Sequence, residues 1–219
     1  MKITFYDVDT QNDFMVDPDI HQKPTALYIP GAEHIRKNLE KLTNFARDNN
    51  YLILGSVDAH SKEDKELKRN NGPFPDHCMK GTWGQEKISE TKPLYPIYIE
   101  NKTIDNLEKL IEDKNEIFFE KQDVDVFTNL NAKNFLKTLN YVVVYGVATD
   151  YCVKAAVLGM LKLDLEVFVV EDAIAGITIE ESDRAIEEIK DAGAYFFTTE
   201  EVLKGKVLKH IRAFEGIIQ

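Results

Sequence analysis

Residues Tyr141–Val157 read YVVVYGVATDYCVKAAV, and two hydrophobic periods meet inside them. Tyr141–Val147 is a continuous apolar run, the pattern of a strand buried on both faces. From there the apolar positions become Val153, Ala156, Val157, Met160 and Leu161, three and four apart, which is one face of a helix. A strand running straight into a helix is half of a β-α-β unit. The same alternation continues in both directions. Lys2–Val8, Tyr51–Val57, Glu116–Glu120, Glu166–Val170 and Tyr195–Thr198 read as strands. Gly31–Asn50, Thr103–Asp113, Ala132–Leu139, Glu180–Ala192 and Val202–Phe214 read as helices. The pattern predicts an α/β fold with a doubly wound, mainly parallel sheet flanked by helices on both faces. One domain is expected over residues 1–219, with a polar excursion at about 61–76 that includes SKEDKELKRNNG (Ser61–Gly72). The strand rhythm resumes after it, so it does not mark a boundary.

Composition narrows the function classes. With 43% hydrophobic residues in 219, the chain has the material for a buried core. Its 27 Lys and Arg against 38 Asp and Glu give a net charge of −11, which disfavours nucleic acid or an anionic membrane surface as partner. No apolar run approaches the ~20 residues of a membrane span, and MKITFYDVDT lacks a signal-peptide pattern, so a cytoplasmic location is expected. Two cysteines, Cys78 and Cys152, are too few for a disulfide framework. The chain carries no Walker-type phosphate loop, GxGxxG, GxSxG, HExxH or CxxC.

In an open α/β sheet, ligands bind beyond the carboxyl ends of the strands. Asp9 follows the first expected strand, Asp58 and His60 the second, Lys121 the third and Cys152 the fourth. A single polar residue at a strand end is ordinarily a cap or a solvated turn. Four strands in succession point to a site. Cys152 stands where a helix begins, so the helix dipole and first-turn amides are expected to lower its pKa and to offer an oxyanion site. A buried, inert thiol is the competing reading. Asp58 and His60 are two apart, on one side of an extended chain, and His77 follows in FPDHC. Two imidazoles and a carboxylate suit Zn²⁺, Fe²⁺ or Mn²⁺; exposed loop histidines without a ligand are the alternative.

Four motifs in order, with Lys121 after a strand, resemble the nicotinamidase branch of the isochorismatase-like cysteine hydrolases. They are DTQNDF (Asp9–Phe14), DAH (Asp58–His60), PDHCMKGTWG (Pro75–Gly84) and GVATDYC (Gly146–Cys152), and the similarity runs over roughly Lys2–Ile177. The resemblance implies the family's Rossmann-like three-layer fold and a catalytic triad of Asp9, Lys121 and Cys152. It implies a divalent metal, Zn²⁺ first and Fe²⁺ or Mn²⁺ as alternatives, on Asp58, His60 and His77. Glu66 is the best candidate for a fourth ligand and Asp64 the next. It further implies an oxyanion hole from the Ala148 and Cys152 amides, beside a cis Val147–Ala148 peptide, and a pyridine ring held between Phe14 and Phe74. Cys78 is assigned to packing.

The implied activity is hydrolysis of nicotinamide, and of pyrazinamide, to the acid and ammonia through a Cys152 thioester, a step of NAD salvage. Isochorismatase itself fits less well, because that branch works without the thiol. Two positions depart from the pattern. Phe74 stands where Trp is common, and the segment after Lys121, QDVDVFTN, is shorter than the aromatic-rich one typical of nicotinamidases. Because of that short segment, another small amide is an alternative substrate. A catalytically silent metal-binding domain and a Cys78–Cys152 thiol switch are the non-enzymatic alternatives. A small-molecule amide is the expected partner; homo-oligomerisation is left open.

Overall fold

The computed structural model describes residues 3–104 and 116–216. Seven strands form one sheet: β1 (Ile3–Val8), β2 (Leu52–Asp58), β3 (Pro96–Ile99), β4 (Glu116–Lys121), β5 (Tyr141–Val147), β6 (Glu166–Ala175) and β7 (Tyr195–Phe197). Their order is β3-β4-β2-β1-β5-β6-β7, and each neighbouring pair is parallel. Helices α1 (Asn12–Met15), α2 (Pro18–His21), α3 (Ala32–Asp48), α4 (Ala132–Leu136), α5 (Lys154–Leu161), α6 (Ile179–Asp191), α7 (Thr199–Leu203) and α8 (Lys206–Phe214) fill the connections. This is the three-layer α/β arrangement that the alternation predicts.

Strand periodicity divides the core between two faces. Phe5, Ile53, Val143, Tyr145 and Phe168 meet Ile35, Leu39, Leu42 and Ala46 of α3, with Val202, Val207 and Ile211 of α7 and α8. Tyr6, Leu54, Phe119, Val142, Val144 and Val169 point the other way, toward Phe135, Val157, Met160 and Ile189. Leu39 and Leu42 are fully buried, and truncating either to Ala would cost about 2–5 kcal/mol. Among the described residues, no helix is long and apolar enough to cross a membrane.

Three elements depart most from expectation. β3 is an added edge strand that periodicity does not predict; its leading Pro96 is tolerated because an edge position needs fewer ladder donors. β6 extends to Ala175, beyond the expected Val170. The expected terminal helix is two helices, α7 and α8, parted at Gly205, whose φ of 72° is left-handed. The helix expected over Thr103–Asp113 falls, from residue 105 onward, outside the described residues.

The sheet reverses direction of growth at β1, with β2 on one side and β5 on the other. That switch point opens a crevice at the carboxyl edge. Gly146 makes the close approach there: its φ is 122°, and a Cβ would sit 2.1 Å from the Val8 carbonyl oxygen. The strands that deliver Asp9 and Cys152 are thus pressed together where both residues leave the sheet.

Candidate active site

The segment after β1 is held by its own polar side chains together with backbone bonds such as the Asn12 amide to the Glu86 carbonyl at 2.8 Å. Asp9 turns the chain out of the strand with a left-handed φ of 48°. The Thr10 hydroxyl donates to Asp7 at 2.8 Å. Gln11 donates to the carbonyls of Asp58 (2.7 Å) and Gln85 (2.8 Å) and accepts from the Asp58 amide (2.7 Å). Asn12 donates to the Trp83 carbonyl at 2.8 Å. The Asp13 carboxylate accepts the amides of Cys78 (2.7 Å) and Ala26 (3.1 Å). Thr10, Gln11, Asn12 and Asp13 therefore lock the loop, with Asp9 and Phe14 at its two ends.

Lys121 lies at the centre of the site. Its Nζ is 3.0 Å from Asp9 Oδ2 and 3.5 Å from Cys152 Sγ, and it also contacts Asp58 Oδ1. The ladder explains the last contact, since Lys121 and Asp58 are directly paired across β4 and β2. All four side chains are buried. Burial alone would lower the Lys121 pKa, but Asp58 and Asp9 outweigh it, raise it well above the usual lysine value and keep the ammonium charged. Burial raises the Asp9 carboxyl, with Lys121 opposing and Asp58 assisting.

Cys152 departs from the sequence expectation. It sits in the first turn of a helical run, a π turn over Thr149–Val153 leading into α5. Yet its thiol is pushed well above the ordinary cysteine value, first by burial. Lys121 opposes that rise, and the nearby Asp9 and Asp58 charges reinforce it. Desolvation together with two carboxylates outweighs one lysine and a helix end, so the resting group is a thiol that needs a base. Asp9 is the base at hand. Cys78 is also buried and free, with its thiol raised by burial and its Sγ against the Gly84 carbonyl at 3.7 Å.

Beside the triad, Asp58, His60, Glu66 and His77 present ligand atoms all within 4.8 Å of one another. Asp58 Oδ2 is 3.3 Å from His77 Nε2 and 3.8 Å from His60 Nε2, and Glu66 Oε2 is 3.2 Å from His60 Nε2. Both His60 Nε2 and Glu66 Oε2 are buried without a hydrogen-bond partner among the described residues. Burial would lower the His60 pKa, but Asp58 and Glu66 overcome it and push it up to about 10. Two carboxylates and two imidazoles converging in a buried cluster fit a divalent cation. Asp64, the second candidate for a fourth ligand, lies behind His60, accepting at Nδ1 (3.2 Å) and from the Ser61 amide (2.8 Å). The Pro75 carbonyl holds His77 Nδ1 in the same way at 2.7 Å. Both imidazoles are thus oriented from the far ring nitrogen.

A cavity opens over these groups, and Phe14, Phe74, Tyr151, Ile177 and Val124 line it with His77, Glu66, Ala148 and Cys152. Phe14 and Phe74 approach the His77 ring at 5.5 and 5.9 Å, and Phe74 meets Tyr151 edge-on at 5.6 Å. The excursion is a built wall. Leu67 is fully buried beneath it, the Phe74 amide donates to the Glu66 carbonyl at 3.2 Å, and Arg69 pairs with Asp76. The Val147–Ala148 peptide is cis.

The structure thus gathers Asp9, Lys121 and Cys152, places Asp58, His60, His77 and Glu66 beside them, and brings Phe14, Phe74 and Ala148 to the same cavity. Sequence reasoning did not find Tyr151, Ile177, Leu27, Ile29 or Val124 as lining residues. Apolar and aromatic loop residues carry no spacing signal for a pocket. Tyr151 lies inside the GVATDYC motif and Val124 inside the QDVDVFTN segment after Lys121, but neither was singled out.

Comparisons with known proteins agree with this fold. The isochorismatase domain family matches residues 100–201. Nicotinamidase of Escherichia coli (strain K12) is 24% identical over 212 residues, covering 87% of this chain and 92% of the relative. The structure of a pyrazinamidase from Pyrococcus horikoshii in complex with zinc superposes with a TM-score of 0.71 at 26% identity, covering 90% of this chain and 99% of that one. N-carbamoylsarcosine amidase from Thermoplasma acidophilum superposes at 0.67 with 23% identity, over 92% of this chain and 98% of that one.

Proposed function

We propose that this chain, which belongs to the nicotinamidase branch of the isochorismatase-like hydrolases, hydrolyses a small neutral aromatic amide to its acid and ammonia. Nicotinamide is the first candidate, with pyrazinamide beside it. The observation that carries the reading is Lys121 Nζ, within 3.0 Å of an acid and 3.5 Å of a thiol at the base of an aromatic-lined cavity.

Asp9 takes the proton of the Cys152 thiol, and Lys121 favours the resulting thiolate by its charge. The thiolate sulfur bonds to the amide carbon as the carbonyl electrons move onto oxygen, where the amides of Ala148 and Cys152 receive them. Collapse breaks the C–N bond, and protonated Asp9 gives its proton to the departing nitrogen, releasing ammonia. Asp9 then accepts a proton from water as the water oxygen attacks the thioester carbon. The C–S bond breaks, and the thiol recovers its proton from Asp9. A divalent ion on Asp58, His60, Glu66 and His77, Zn²⁺ first for such donors, would supply a Lewis-acid grip on a ring nitrogen. Phe14 and Phe74 hold the ring so that its carbonyl faces Cys152.

The lining of the cavity favours an uncharged substrate. It contains no Arg or Lys among the described residues, and Lys121 at its base is already paired with Asp9 and Asp58, so a carboxylate on the substrate would meet no unpaired side-chain cation there. The short segment after Lys121, which contributes Val124 to the wall, keeps a non-pyridine amide as the second reading. Ammonia release measured on nicotinamide, pyrazinamide, aliphatic amides and N-carbamoylsarcosine decides among these. Turnover of the first two is expected. Preference for a carboxylate-bearing amide, or no release from any, would overturn the reading.

A further inference from the structure

The added length of β6 has a destination. Its last residues run beside the end of β5, with Ile174 opposite Gly146 and Ala175 opposite Val147. The chain then delivers Gly176–Thr178 to the turn that carries Cys152. Asp150, a residue of that turn which the proposed chemistry does not use, receives it; its exposure is 7%. The Ile177 amide donates to both Asp150 carboxylate oxygens at 3.1 Å, and the Thr178 amide donates to Oδ2 at 3.4 Å. The approach is close, since a Cβ at Gly176 would lie 2.9 Å from Asp150 Oδ1 and nearer still to Ser182 Oγ. A buried carboxylate is tolerated where charge-assisted bonds satisfy it, and these amides lie just ahead of α6, whose dipole favours an anion there.

The segments joined in this way are not equally held. The turn keeps bonds of its own: the Tyr151 and Val153 amides donate to the Ala148 carbonyl at 3.1 and 3.0 Å, and α5 follows directly. Thr178 is fastened to α6, its hydroxyl accepting the Glu181 amide at 3.2 Å and its carbonyl the Ser182 amide at 3.0 Å. Ile177, half-buried between them, lines the cavity together with Cys152. Its amide has no partner other than Asp150 among the described residues. Loss of the carboxylate would therefore loosen the wall and leave the nucleophile in place.

We propose that Asp150 is a positioning residue for the substrate: by clamping the Ile177 amide to the nucleophile turn, it fixes the Ile177 side of the cavity relative to Cys152. A wall held at a set distance grips the amide's ring on arrival; a loose one must be ordered by the substrate itself, which weakens binding. This inference rests on the reading of the cavity as an amide site.

The test compares Asp150→Ala, Asp150→Asn, Ile177→Ala and the Asp150→Ala/Ile177→Ala double variant with the wild-type protein, on whichever amide the wild type turns over. Asp150→Ala should raise KM about 10-fold, the scale of one lost hydrogen bond to a charged group. Its kcat should stay within about threefold of wild type, bound metal should be unchanged, and exchange of the Ile177 amide should speed up. Asp150→Asn keeps an oxygen for the Ile177 amide and should recover most of the KM. Ile177→Ala should raise KM as well, and adding Asp150→Ala to it should do little more, because both changes act through one side chain. An unchanged KM in Asp150→Ala, a fall in kcat without a rise in KM, an asparagine variant as poor as the alanine one, or additive effects in the double variant would overturn the inference. Should Asp150→Ala fail to fold, Ile177→Ala decides: an unchanged KM there refutes the wall. A wild type that releases ammonia from no amide overturns the function reading, and this inference with it.

Discussion

Two regions build the site by different means. The carboxyl edge of the sheet supplies Asp9, Asp58, Lys121 and Cys152, and their spacing follows from strand register: Asp58 faces Lys121 across the ladder, and Gly146 presses β5 against β1. The excursion supplies Glu66, Phe74 and His77, and it is held by short-range contacts of its own. Asn70 donates to the carbonyls of Lys62 and Asp64, both at 2.8 Å, Asp64 accepts from Ser61, and Leu67 bridges to Phe74. Bond-breaking groups thus sit at the paired strand ends, and most ring-shaping groups on a loop held by its own contacts. In the proposed reading, chemistry belongs to the edge and substrate choice to the excursion.

Changes at the edge should have the largest effects. Cys152→Ala should reduce ammonia release about ten-thousandfold or more, while Tm and metal content measured on the same sample stay unchanged. Asp9→Asn should cost about 10²- to 10⁴-fold in single-turnover rate, again with nicotinamide binding and metal near normal. A Cys152 or Asp9 variant that lost metal in step with rate would break the division between the regions.

Changes at the excursion should be smaller and of another kind. Glu66→Gln should deplete bound metal and weaken equilibrium binding of pyridine carboxamides, with part of kcat lost because a loose ring presents its carbonyl badly. Asp64→Asn, acting behind His60, should lower metal affinity about 10- to 100-fold by competition titration. Normal nicotinamide binding by a metal-free His77→Ala protein would show that the metal does not orient the ring. Leu67→Ala should have the mildest effect on turnover. Faster amide exchange confined to 61–76 and a raised KM are expected, with kcat of the bound amide little changed.

The same contrast explains what could be read from the sequence. The edge is legible because strand ends are: an apolar run stops, and Asp9, Lys121 and Cys152 follow within a few residues. In the excursion and just beyond it, the family resemblance picked out Phe74 and His77 and ranked Glu66 over Asp64. Which acid faces the cluster depends on how the Ser61–Asp64 turn is hydrogen-bonded, and spacing does not encode that. The lowered Cys152 pKa was expected from the helix start alone. Burial beside Asp9 and Asp58, a long-range consequence of packing four strands together, reverses its sign. β3 was hidden because its four residues follow prolines at an edge, where neither a long apolar run nor alternation is required.

The central claim is a covalent acyl intermediate on Cys152, and hydroxylamine partitioning tests it most directly. During turnover of nicotinamide, added hydroxylamine should intercept the thioester and yield the hydroxamate at the expense of nicotinate. Ammonia release should continue undiminished, and Cys152→Ala should form neither product. Full nicotinate and ammonia production with no hydroxamate, or hydroxamate formed equally by Cys152→Ala, would contradict the account.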